Sequence, residues 1–163
     1  MQSIIFRTNG AKGALLDEYE RAVNELKLVI IGVTPDELTA IADPETTDPD
    51  CQSIQTMLTH VVRSMFSYAV YIRNHYGEEM KRPVGKICPT AAEYVTELAE
   101  AFSFTEKTFE KHPTIELESF QTDQKMMVQW GQLYDVEQLM EHAIVHILRH
   151  RRQIERFLIR LRG

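Results

Sequence analysis

A chain of 163 residues, 44% hydrophobic and 26% charged, suits a single domain over residues 1–163 with a substantial core. Its net charge of −6 speaks against nucleic-acid binding, which would leave a concentrated basic face. Two isolated cysteines, Cys51 and Cys88, exclude a disulfide scaffold and fit a reduced, cytoplasmic setting, and no signal peptide or membrane span is expected from the apolar runs.

The first predicted helix runs from about Ala11 to Ile31. Leu15, Leu16, Tyr19, Ala22, Val23, Leu26 and Val29 recur at three- and four-residue steps. Gly32 is a stop signal, and Thr34-Pro35-Asp36-Glu37 can open a short turn of helix. The linker from Asp43 to Asp50 is rich in turn formers. A second helix from about Ser53 to Tyr76 carries Ile54, Met57, Leu58, Val61, Met65, Tyr68, Ala69 and Ile72 on one stripe. Thr90 and Glu93 read as a capping box for a third helix, which buries Tyr94, Leu98, Ala101, Phe102 and Phe109 and ends near Glu110, before Pro113. Residues 112–129 are left unassigned, with Ile115–Phe120 alternating as an extended segment would. The fourth helix begins between Gly131 and Asp135 and runs to about Leu161. Four amphipathic helices of this length predict an all-α four-helix bundle.

The fourth helix carries His142, His146 and His150 at steps of four, one above the other. Two imidazoles at that spacing can bind one divalent ion from a rigid element, and a third ligand from another helix would leave a coordination position open for chemistry. With the apolar stripe centred near Val136, Ala143, Ile147, Ile154 and Leu161, His150 lies about 40°, His146 about 80° and His142 about 120° from its direction. His146 and His150 are therefore the favoured pair, and His142 is expected to be the most exposed. His60, on the margin of the second stripe beside the small Ser64 and Ser67, offers the third ligand. The competing readings are an HxxxH pair arising by chance and histidines serving as polar core. His75 and His112 suit helix C-termini, where the dipole favours them.

Other chemistries fit less well. The chain has no HExxH, no pair of ExxH motifs, no GxGxxG and no GxSxG. The arginines from Arg149 to Arg162 read as a solvated face at a helix C-terminus.

Leu15-Leu16-Asp17-Glu18-Tyr19, the segment Ser53–Val61 around His60, and the run His146-Ile147-Leu148-Arg149-His150-Arg151-Arg152-Gln153-Ile154 together resemble the DinB/YfiT-like family of metal-dependent enzymes over nearly the whole chain. Arg152 stands where that family often has Gly, a departure that touches packing rather than ligation. The resemblance implies His60, His146 and His150 as ligands of a divalent metal, zinc or nickel. It also implies an up-down-down-up helix order, a homodimer, and thiol-dependent transferase or isomerase relatives that use low-molecular-weight thiols. The expected activity is a thiol S-transferase or hydrolase acting on a small molecule, with Gln153 as a partner fixing the His150 tautomer. Arg151 either holds an anionic substrate or closes the helix end. The alternative is a non-catalytic, metal-binding homodimeric bundle acting as a stress-response or binding module. A homodimer also suits the apolar girth of the first helix near Leu28 to Ile31.

Overall fold

The computed structural model describes residues 6–163. The reading of the first ten residues as lacking a signal peptide thus falls partly on residues outside that range. The architecture is all-α. Four long helices, α1 (Gly10–Ile30), α3 (Ile54–His75), α4 (Ala91–Lys111) and α5 (Val136–Arg162), are joined by a short helix, α2 (Pro35–Thr39), two 3-10 turns and a small hairpin. Among the described residues, no helix is long and apolar enough to cross a membrane.

The helices start where side chains can satisfy their free N–H groups. Ser53 and Thr56 form a reciprocal box at the start of α3, and Asp135 and Gln138 form another at α5. Thr34 and Glu37 do the same for α2. The box expected at α4 is only half made. Thr90 accepts from the Glu93 N–H at 3.3 Å, but the Glu93 side chain stays in solvent and does not fold back.

The predicted stripes are the core. Tyr19, Leu26, Met57, Leu58, Met65, Ile72, Tyr94, Leu98 and Leu139 are wholly buried. α3 packs against both α4 and α5, and α1 against both α5 and α4. Near the starts of α3 and α4, Thr59 meets Tyr94, and near their ends Arg73 donates to Thr108. Between α3 and α5, His60 lies beside His150 and Tyr68 beside His142. Lys12, early in α1, reaches the Pro113 carbonyl just past α4, and Arg162, at the end of α5, pairs with Glu37 just past α1. Leu28 of α1 and Ile31, which caps its end, remain 72% and 73% exposed.

The alternating segment Ile115–Phe120 is not a strand. Ile115 is buried and Leu117 is packed against the core, and the Leu117 carbonyl accepts one isolated bond from the Glu137 N–H rather than a ladder of them. The pairing in this connection occurs further on, where β1 (Met126–Met127) runs antiparallel to β2 (Leu133–Tyr134). That hairpin lies beside α3 and the start of α5 and brings Trp130 over the histidine-bearing face.

Candidate metal centre

Three of the six histidines converge between α3 and α5. The His60 Nε2 is 2.9 Å from the His146 Nε2, which is 3.2 Å from the His150 Nε2. Nitrogen ligands of one tetrahedral ion, with bonds of about 2.0–2.1 Å, stand roughly 3.3 Å apart. These two spacings are within a few tenths of an ångström of that value and all three ligand atoms lie within 4.8 Å of one another, so this group could hold a metal ion. His146 and His150 are buried and His60 is half-buried. Helical stacking places the first two, and the capped start of α3 fixes the register of the third.

Burial sets the charge state. It pushes the His146 imidazole down to about 2, with the nearby His150 and His60 adding to the effect. It pushes His150 down to about 4, again with a contribution from His60. Both rings are therefore neutral near pH 7, the form that a metal ligand requires.

The supporting contacts are uneven. His60 Nδ1 lies 2.8 Å from Asp50 Oδ2, and Arg63 donates to the same oxygen at 2.9 Å. A carboxylate only accepts, so Nδ1 carries the proton and the Nε2 lone pair points into the cluster. Asp50 is itself placed by the 3-10 turn Pro49–Cys51, where Asp48 accepts from its N–H. Sequence reasoning missed Asp50, which carried no signal beyond its place in a linker of turn formers. Gln153 does not take the matching role. It sits beside both His150 and Cys51. Yet Gln153 Oε1, His150 Nδ1 and His146 Nδ1 are each buried without a partner of hydrogen-bond geometry. Such orphaned polar atoms are uncommon in a settled core.

His142 is less buried than the other two, as the wheel predicts, but it does not point away from the site. It is stacked on Trp130 with ring centres 5.2 Å apart and stands 6.1 Å from the His146 ring. Tyr68 and Tyr134 meet it edge-on, each at 5.6 Å. The wheel ranks the three exposures in the observed order, but it treats α5 as a bare cylinder and cannot show that the hairpin covers that flank.

A cleft of about 580 Å³ opens directly over His60 and His146. Its far walls come from Arg82–Gly85, after α3, and from Gln129 and Trp130 of the hairpin. At Gly85 a Cβ would stand 2.9 Å from the Thr59 methyl, so a side chain there would push this wall off α3. The C-terminal arginines are largely a solvated face, as expected. Arg151 pairs with Glu25 of α1, which accounts for it without a substrate.

Compared with protein-family models the chain matches none, and no curated protein matches it.

Proposed function

We propose that this chain is a divalent-metal-dependent enzyme of the DinB/YfiT type, a thiol S-transferase or hydrolase, with His60, His146 and His150 as the ligands of zinc or nickel. The convergence of three imidazoles, two of them buried and neutral, beside an open cleft carries the reading. When bound, such an ion supplies Lewis acidity, which makes water or a thiol nucleophilic near neutral pH. Asp50 orients His60 through its contact with Nδ1. The buried floor keeps His146 and His150 deprotonated. Trp130 and Tyr71 restrict access from the hairpin side.

The contact pairs support the up-down-down-up bundle that belongs to this reading. Starts meet starts between α3 and α4, while Lys12 of α1 meets the far end of α4. α1 and α5 finish side by side at Glu37 and Arg162. The exposed Leu28 and Ile31 support a homodimer. A cytoplasmic setting belongs to the same reading. The open cleft favours an enzyme over a purely structural metal site, which would have a closed shell of four protein ligands.

The test is metal analysis of protein purified without a histidine tag, followed by spectroscopy of the cobalt-substituted form. One equivalent of metal with three nitrogen ligands and an exchangeable position is expected. A protein that takes up no zinc or nickel, or that closes its shell with a fourth protein ligand, would overturn the reading.

A further inference from the structure

The cleft differs in charge from the molecule that carries it. The chain has a net charge of −6, yet the cleft lining holds two arginines and no carboxylate. Arg63 is already neutralised by Asp50 at 2.9 Å. Arg82 has no acidic partner among the described residues. Its guanidinium donates to the neutral Gln129 side chain and lies 5.6 Å from the centre of the Tyr71 ring. One free guanidinium at the mouth balances one negative charge, and its forked donors match a carboxylate. Between Arg82 and the histidines the lining is aromatic, with Tyr71, Tyr68 and Trp130 meeting edge to face. A volume of about 580 Å³ suits a small organic molecule.

We propose that the cleft binds a small monocarboxylate with a planar or apolar body. Its carboxylate sits on Arg82, its body against Trp130 and Tyr71, and its other end towards His60 and His146. This deepens the metalloenzyme reading and rests on it only for the end that faces the histidines. The carboxylate contact itself lies at the opposite side of the cleft.

Trp130 is the only tryptophan of the chain, so its emission reports the cleft directly. Phenylacetate and its neutral counterpart phenylacetamide are titrated into zinc-treated and metal-free protein, for the parent, Arg82→Gln and Arg82→Lys, with zinc affinity measured in parallel. Arg82 is exposed, so the variants keep the fold. Phenylacetate is expected to bind about tenfold more tightly than the amide, the size of one charge-assisted hydrogen bond. Arg82→Gln is expected to abolish that preference, Arg82→Lys to keep part of it, and zinc affinity to stay the same in all three. Equal binding of acid and amide, no response of Trp130 to either, or a preference that survives Arg82→Gln overturns the proposal. A preference that needs zinc and ignores Arg82 also overturns it, because the carboxylate would then be on the ion. Failure to take up zinc, with the Arg82-dependent preference intact, overturns the metal reading and supports this one.

Discussion

The histidine floor beneath the cleft and the far walls of the cleft are built by opposite means. The floor is carried by side chains at one-turn spacing on α5 and by one position on α3, both long helices with boxed N-termini. His146 and His150 are 6% and 5% exposed. The walls are carried by connections that follow no period, and there Val84 is 91% and Trp130 45% exposed. Rigid elements hold groups whose mutual distances must stay fixed, and loops hold groups that must meet a variable partner. The floor is therefore expected to govern affinity for the ion and the walls to govern what else may enter.

The strongest way to break this division is to remove a floor residue. Alanine at His60, His146 or His150 is expected to lower zinc affinity by more than the ~10–100-fold that loss of a supporting partner produces. Val84→Ser, in the wall, should leave affinity unchanged. Competition with a chromogenic zinc chelator measures both. A wall variant that loses zinc as badly as a floor variant would end the distinction.

Acid should attack the floor and spare the walls. In the metal-free protein His146 and His150 stay neutral down to about 2 and about 4, whereas a histidine in the unfolded chain titrates at 6.5. Above pH 6.5 both states are neutral and the pair contributes nothing to the pH dependence. Below it, the unfolded chain binds protons that the native one refuses, so stability falls. The loss is of order 1 kcal/mol per pH unit for each histidine, continuing to about pH 4 for His150 and lower for His146. Denaturant melts between pH 7 and pH 4 measure it, and His150→Gln should flatten the slope. A slope unchanged in that variant would mean that carboxylates elsewhere account for it.

The same division explains what could be read from the sequence. The four long helices appear with ends within a residue or two, because burial on one face leaves a period of 3.6 in the chain. His146 and His150 were legible for that reason, whereas His60, with no partner on its own helix, came from its place at the margin of the second stripe and from the family resemblance. Ligation from a helix needs a spacing, and a spacing survives in sequence. Asp50 was not legible, because a 3-10 turn brings it to His60 across ten residues of irregular backbone. The hairpin was missed because strands of two residues leave no alternation to detect. The exposure of His142 was ranked correctly but its surroundings were not, since the feature that turns its flank into a cleft wall is that hairpin. Arg152 is exposed, so its long side chain meets no neighbour that would forbid it.

Asp50 belongs to neither class, being loop-borne yet part of the floor, and it sharpens the comparison. Asp50→Asn keeps a polar group beside His60 Nδ1 but removes the charge that holds the ring in place. Zinc affinity is expected to fall about tenfold, the lower end of the range for such partners. The reason for the lower end is that the Asp50 side chain is 37% exposed and shared with Arg63. No change would make Asp50 a surface ion pair. A loss equal to that of His60→Ala would make it a ligand.

The smallest effect is expected at His142, the side chain through which α5 reaches the wall. His142→Ala removes the ring stacked on Trp130 at 5.2 Å but none of the three converging Nε2 atoms. An aromatic stack of this kind contributes about 0.5–1.5 kcal/mol, which in a chain of this size lowers Tm by about 1–6 °C. Trp130 emission should shift to the red as solvent replaces the imidazole. Zinc affinity should stay within about threefold, the scale of a weak, solvent-screened interaction. The ring is 6.1 Å from that of His146, so a swing about its side-chain bonds is the one motion that would bring a fourth nitrogen to the cluster. If His142→Ala loses zinc as completely as His150→Ala does, that motion occurs. The centre would then have four histidines, a closed shell, and no position left for a substrate.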